Sequence, residues 1–135
     1  DILAVIEARI AIEVEASALA AGRRTPAELR ALKKSLRERE THRTGIEEHV
    51  DTDIVFHRTI VVAAHNPILL DLFDGFTPRN RHAMIEMLRT RGTHGDDPDH
   101  DTHRRIYDAI ADRDAATAAA VTRDHLTSLT TALGR

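Results

Sequence analysis

The chain has 135 residues, of which 41% are hydrophobic and 3% aromatic, and its formal net charge is −3 at pH 7. This length can bury one hydrophobic core, so we expect a single domain over residues 1–135. The absence of cysteine from the sequence excludes disulfides, thiolate metal sites and cysteine nucleophiles.

The arginines and lysines are interspersed with acidic residues, so the basic stripe that would bind nucleic acid directly is missing. No apolar run approaches the ~20 residues that span a bilayer, and the amino end lacks the order of a signal peptide. We therefore expect a cytoplasmic protein with no membrane partner. Because the chain starts at Asp1, already inside an amphipathic pattern, we also expect further sequence upstream.

Apolar residues recur at steps of three and four along the chain, which together with abundant Ala and Leu predicts an all-α fold. The first helix is predicted over residues 2–22. The second begins with a capping box, in which Thr25 caps, Pro26 occupies the first turn and Glu28 reaches back. This helix is expected to end near residue 40.

The remaining helices are predicted over residues 46–65, 67–76, 79–91, 98–112 and 115–133. Asn66 before Pro67 is typical of a capped restart, and Pro78 is expected to end the fourth helix. The Gly- and Asp-rich segment 92–97 is predicted to be a mobile loop. Asp114 is the expected cap of the last helix.

Nine histidines in 135 residues are about three times the ~2% expected of an ordinary chain. Four of them lie in predicted loops or among charged neighbours and are interpreted as solvated side chains: His42, His49, His82 and His94.

Asp53 and His57 lie four residues apart on the predicted third helix, so a carboxylate and an imidazole share one face a turn apart. Such a pair can bind one cation, although a surface hydrogen bond would use the same spacing. The pair alone therefore leaves both interpretations open.

His103 lies eleven residues before Asp114, and His125 lies eleven residues after it. A hairpin that turns at Asp114 places each imidazole about 16 Å from the turn, at the same height of the bundle. Together with Asp53 and His57 they predict a metal site with one carboxylate and three imidazole ligands. This ligand set suits zinc first, and also Ni, Mn or Fe, and leaves coordination positions that an exogenous carboxylate can fill.

Three further residues are candidates beside this set. His100, three residues before His103, is a rival ligand or a partner of one. His65, two turns after His57, is expected to line the end of the bundle. Arg9, on the first helix, has the guanidinium that suits a carboxylate ligand, but an internal ion pair with Glu13 or Glu7 fits the sequence equally well.

In their order and spacing these residues resemble the FadR C-terminal type (FCD) ligand-binding domain of GntR-family bacterial transcription regulators, in its metal-containing branch. The resemblance covers nearly the whole chain. The residues that carry it are Glu7-Ala8-Arg9, Glu13, Asp53-Ile54-Val55-Phe56-His57, Asn66-Pro67, Leu69, Leu70, His103, Ile106, Ala109, Ile110, Asp114 and His125.

The resemblance implies an antiparallel bundle of six or seven helices, often dimeric. It implies that Asp53, His57, His103 and His125 hold the metal ion, and that Arg9 helps to hold the carboxylate of a small effector. The amino-terminal winged helix-turn-helix of the family is not in this chain. DNA binding would therefore belong to that separate domain, which the effector would regulate.

Two alternatives to this non-enzymatic sensor stay open at the level of sequence. A metalloenzyme, a hydrolase or an oxygenase, could use the same Asp and His residues, with Glu13 as its general base. A metal-free helical interaction module would bind no cation, and a chelator would then leave its melting temperature unchanged.

Overall fold

The computed structural model describes residues 1–133, and within that range it contains six α-helices and no strand. The helices are α1 Ile2–Arg23, α2 Pro26–Thr41, α3 Ile46–Ala63, α4 Pro67–Arg91, α5 Asp97–Ala111 and α6 Ala115–Ala132. The all-α prediction is confirmed, and the predicted ends agree to within two residues except at Pro78. In the described part of the chain, no helix has both the length and the apolar composition of a bilayer span.

The helices begin where local hydrogen bonds satisfy their first free N–H groups. At the start of α2, the Thr25 hydroxyl accepts from the Glu28 amide at 3.1 Å and Glu28 accepts from the Thr25 amide at 2.9 Å. Asn66 and Asp114 accept from the first turns of α4 and α6 in the same way. The predicted caps are thus confirmed.

Pro78 does not end a helix, which corrects the prediction of two separate helices in this region. It is exposed within the continuous α4, where it lacks the N–H that would bond to the Asp74 carbonyl. Both halves of α4 nevertheless bury apolar side chains, Phe73 before the proline and Met84 and Leu88 after it. This packing against α1 and α3 outweighs one missing hydrogen bond.

Helix α1 lies at the centre of the bundle and packs against α3, α4, α5 and α6. Its buried face carries small residues, Ala16, Ser17, Ala20 and Ala21, which let neighbouring helices approach closely. The Ser17 hydroxyl donates to a backbone carbonyl of α6 at 3.3 Å. Polar side chains on the preceding turns of α1 are therefore held inside the bundle, within reach of several other helices.

Replacing Pro78 with Ala is expected to raise the free energy of unfolding by about 1 to 2 kcal/mol, because the missing backbone hydrogen bond is restored at an exposed position. Urea denaturation followed by circular dichroism measures this change. Arg79→Ala is the matched exposed control, for which we expect little change. A destabilised Pro78→Ala protein would show that α4 needs the proline.

Candidate metal centre

Three of the four predicted ligand side chains, His57, His103 and His125, form one cluster in the interior of the bundle, and the fourth, Asp53, contacts two of them. His57 on α3 and His103 on α5 face each other, with 3.3 Å between their Nε2 atoms. Asp53 Oδ1 lies 3.3 Å from His57 Nε2 and 3.1 Å from His103 Nε2. His125 on α6 joins them, since ligand nitrogens of the three imidazoles all lie within 4.8 Å of one another. Asp53 lies beside this group of three imidazoles without belonging to it, and the binding of an ion by all four residues stays a prediction.

The orientation of His57 is set by a buried carboxylate on α1. Glu13 Oε1 lies 2.7 Å from His57 Nδ1, and Glu13 Oε2 accepts from Arg9 Nε at 2.7 Å. Burial opposes the charge of Glu13, but Arg9 and His57 lower its pKa to about 2. The ionised carboxylate can only accept, so His57 donates from Nδ1 and directs Nε2 toward Asp53 and His103.

A backbone carbonyl orients His103 in the same way. His103 Nδ1 lies 2.7 Å from the carbonyl oxygen of Asp99, one turn earlier on α5. A carbonyl has no proton to donate, so the proton of this imidazole is on Nδ1. Burial lowers the pKa of His103, which favours the neutral ring. Its Nε2 lone pair then faces the centre.

Two ring nitrogens and a carboxylate oxygen thus face one another at 3.1 to 3.3 Å, distances that either a shared proton or a shared metal ion can bridge. Burial opposes the charge of Asp53, but His57 and Arg39 hold its pKa well below the usual range. Burial also opposes a charged His57, yet Asp53 and Glu13 raise its pKa to about 9. In the absence of metal, a proton on His57 Nε2 therefore takes the place of the cation. The donor atoms fit a divalent metal ion in the same position.

His125 completes the cluster from the side of a cavity. Its ring lies parallel to that of His57, with centroids 5.9 Å apart, and meets the His103 ring edge-on at 4.5 Å. Burial, His103 and His57 together hold the pKa of His125 well below the usual range. A neutral imidazole at the edge of the cavity can bind a cation that also contacts a ligand in the cavity.

Arg39 was not among the residues predicted for the site, but it is buried on α2 and pairs with two carboxylates. Its Nε lies 2.9 Å from Asp53 Oδ1, and its Nη2 lies 2.6 Å from Asp99 Oδ2. The signal was available, because Arg39 follows Leu32 and Leu36 on the apolar face of α2. A charged residue on the apolar face of a helix is rarely solvated, and here Arg39 orients the candidate metal ligand Asp53.

Arg9 is 1% exposed and serves as an internal ion-pair partner of Glu13, as the alternative interpretation predicted. It also lines the cavity beside His125, with Nη2 4.0 Å from Asp53 Oδ2 and Nη1 3.6 Å from the Met84 sulphur. A role in binding a carboxylate is therefore compatible with the ion pair and stays a prediction.

The cavity beside the centre has a volume of about 70 Å³. This is space for a few water molecules, or for a ligand of a few non-hydrogen atoms. Its walls combine three arginines, the aspartates near the centre and an apolar surface from α3, α4 and α6. The lining residues are Arg9, Arg39, His49, Val50, Asp53, Met84, Met87, Leu88, Arg91, His94, Gly95, Asp96, Asp99, His125 and Leu129.

The rival ligands lie elsewhere. His100 points to α2, where its Nε2 lies 2.7 Å from Glu40 Oε2. His65 lies near the start of α2, 2.7 Å from Glu28 Oε1. Neither belongs to the cluster of three imidazoles.

Two of the four histidines interpreted as solvated, His42 and His82, are exposed. The interpretation is wrong for His49, which is 6% exposed and lines the cavity. The segment between α4 and α5 covers it, with the half-buried His94 ring 5.2 Å away. The burial of His49 results from a contact with a distant segment, so the sequence around His49 does not predict it.

Glu13 is also the residue that a metalloenzyme would need as a general base. One of its oxygens accepts from His57 and the other from Arg9, and its lowered pKa leaves it a poor proton acceptor. The geometry therefore assigns Glu13 a structural part rather than a catalytic one.

Residues 4–128 of this helical bundle match the FCD domain family. The chain belongs to that family, the effector-binding domain of GntR-type regulators. It is 31% identical over 127 residues to the HTH-type transcriptional regulator YcbG of Bacillus subtilis (strain 168), covering 91% of this chain and 50% of the relative. It is 28% identical over 133 residues to the HTH-type transcriptional regulator LutR of the same organism, covering 96% and 60%.

Among solved structures, a Streptococcus agalactiae GntR protein has the same fold, with a TM-score of 0.72 and 22% identity over 94% of this chain and 56% of that one. The chain thus spans 50% to 60% of the length of the curated relatives that it matches. Both of those relatives are named as transcriptional regulators, in agreement with the prediction of a sensor domain rather than an enzyme.

Replacing Arg39 with Met is expected to lower the free energy of unfolding of the protein by about 1.5 to 3 kcal/mol, because two partly buried carboxylates lose a charged hydrogen-bond donor. Urea denaturation measures the change. Arg81→Met is the matched control, since Arg81 forms a similar two-bond pair with Asp51 on the surface, where solvent screens the charges. Equal effects of the two substitutions would contradict the structural part assigned to Arg39.

Proposed function

We propose that this effector-binding domain binds a divalent metal ion through Asp53, His57, His103 and His125. A small organic acid binds to the metal ion and to Arg9, and its binding changes DNA binding by an amino-terminal domain outside this chain. The observation that supports the proposal is the meeting of two imidazole Nε2 atoms and a carboxylate oxygen within 3.3 Å.

The ligand set favours zinc, with nickel, manganese and iron as alternatives. Imidazole nitrogen and carboxylate oxygen are donors that all four metals accept. The sequence has no cysteine, so the thiolate ligand that softer metals prefer is not available. The hydrogen bond from His57 to Glu13 is the kind that fixes the tautomer and orientation of a metal-binding histidine. Four protein ligands leave room for one or two further oxygen atoms on the ion.

The cavity favours an anionic ligand of few atoms. A carboxylate bound to the ion next to His125 would lie among Arg9, Arg39 and the apolar side chains of α4. Among residues 1–133, Arg9 Nη1 donates to one acceptor, the Met84 sulphur, which is a weak one, so this group retains donors for an occupant of the cavity. Guanidinium and carboxylate form strong, directional hydrogen bonds in such a low-dielectric site.

Regulation follows from the number of helices that meet at the site. Its charged and imidazole side chains come from α1, α2, α3, α5 and α6, so an ion and an acid bound there favour the arrangement of helices in which all these contacts form. The acid shifts the regulator only as far as it prefers one arrangement over another. We propose that the full-length protein is a homodimer that transmits this shift to its DNA-binding domains.

Substitution of either His103 or His125 with Ala is expected to lower metal affinity by at least 10- to 100-fold, because each removes one ligand. Zinc titration with calorimetry, and metal analysis of protein purified without added metal, measure the loss. His82→Ala, at an exposed histidine outside the cluster, is the control and should keep wild-type affinity. Unchanged occupancy in both variants would refute the metal site.

Removal of the metal ion is expected to weaken binding of a small carboxylate at least tenfold, since the ion supplies the main positive anchor in the cavity. Propanoate, titrated into metal-loaded and into chelator-treated protein, tests this dependence. The same samples should differ in melting temperature, by an amount that corresponds to about 2.7 kcal/mol when the metal is present at 100 times its Kd. Equal acid affinity with and without metal would show that the acid does not bind to the ion.

A further inference from the structure

Residues 92–96, between α4 and α5, form one wall of the cavity, and we refer to them as the cover. From this wall His94, Gly95 and Asp96 line the cavity. The cover also shields His49, which is 6% exposed, because an added Cβ on Gly95 would lie only 3.4 Å from His49 Cε1. A molecule can enter the cavity through this wall only when the cover moves.

The cover lacks the apolar packing that fixes the helices on either side of it. Its sequence is Gly-Thr-His-Gly-Asp, and none of these residues is buried. By contrast, Leu88 on α4 is 7% exposed and His103 on α5 is 0% exposed. Segments with few buried contacts open at a much lower free energy than the core does. The cover can therefore open while α4 and α5 stay in place.

Two glycines give the cover a backbone that permits such a movement. Gly92 has a φ of 78° and Gly95 a φ of 65°, in the left-handed region that residues with a Cβ rarely adopt. Gly92 directly follows α4, and Gly95 lies two residues before the start of α5. Each end of the cover thus has a residue with wide backbone freedom.

The cover is held closed by polar contacts with the turn between α2 and α3. His94 Nε2 lies 3.0 Å from the Thr44 carbonyl oxygen. Arg43 Nη1 donates to Asp97 Oδ1 at 2.8 Å and to the Gly95 carbonyl at 3.4 Å. The side chains of Arg43 and Asp97 are 26% and 87% exposed, so solvent screens their attraction. Contacts of this kind close the cover without locking it.

We propose that the cover is a gate, which moves away from the turn between α2 and α3 with Gly92 and Gly95 as hinges and admits metal ions and small solutes to the cavity. The inference rests on the proposed function only for what passes through the gate. A gate that is closed both before and after binding changes the rates of entry and release by the same factor. The affinity for the ion then stays unchanged.

The double variant Arg43→Cys, Gly95→Cys tests the gate, because a disulfide between the two positions would hold the cover closed. An added Cβ on Gly95 would lie 3.3 Å from Arg43 Cβ, close to the ~3.5 to 4.5 Å that separates these atoms in disulfides. The chain has no other cysteine, so no competing pair can form.

The readout is modification of His49 by diethyl pyrocarbonate, followed by mass spectrometry on the metal-free double variant. We expect His49 to react about tenfold faster in the reduced protein than in the oxidised protein, because the reduced cover opens. The exposed His82 is the internal reference and should react equally in both. Equal rates at His49 would overturn the inference.

Release of zinc to an excess of chelator measures passage through the gate. It should be about tenfold slower from the oxidised double variant than from the reduced one, with the same Kd in both. Unchanged release from the oxidised protein would show that ions do not pass the cover, which overturns that part of the inference. If no form of the protein binds zinc, the proposed metal site fails, whereas the His49 rates still decide whether the cover opens.

Arg43→Met provides a second test that needs no disulfide. It removes the contacts with Asp97 and the Gly95 carbonyl, so His49 should react about threefold faster than in the wild type. Arg37→Met, at an exposed arginine of α2, is the matched control and should leave the rate unchanged. Melting temperatures confirm that each variant is folded. A wild-type rate at His49 in Arg43→Met would contradict the gate.

Discussion

The structure depends on the balance of charge that is buried between its helices. Three carboxylates, Glu13, Asp53 and Asp99, share the interior with two guanidinium groups, Arg9 and Arg39. The charges of these five groups sum to −1, and three imidazoles lie beside them. An ionised group in such surroundings is stable only when it is paired and hydrogen-bonded. A proton on His57 meets this need in the metal-free protein, and a metal ion would meet it with more ligands.

The same pairs determine which helices are connected. His57 joins α3 to α1 through Glu13, and Arg39 joins α2 to both α3 and α5. Apolar packing would hold these helices together without specifying how they rotate about their axes. Because the ion pairs are directional, they restrict the rotation of α1, α2, α3 and α5, so a change in charge at the centre affects several helix contacts together.

The parts of the site that follow from sequence are those governed by spacing along a helix. Asp53 and His57 share a face of α3 because they lie one turn apart. His103 and His125 lie at the same height of the bundle because each is eleven residues from the turn at Asp114. Contacts between distant segments are not encoded in this local way. The burial of His49 depends on a loop about 45 residues away, and the continuation of α4 through Pro78 depends on packing against other helices, which local propensity does not report.

Helix α1 contacts both the candidate metal centre and the cavity beside it. Arg9 pairs with Glu13, which orients His57, and it also contacts Met84 in the wall that α4 contributes. Apolar residues of α1 pack against the same part of α4, among them Ile6. An occupant of the cavity that draws Arg9 toward it must therefore change either the Glu13 pair or the contact between α1 and α4. Because small residues pack α1 closely against its other neighbours, such a change cannot stay local and reaches them as a shift of the whole helix.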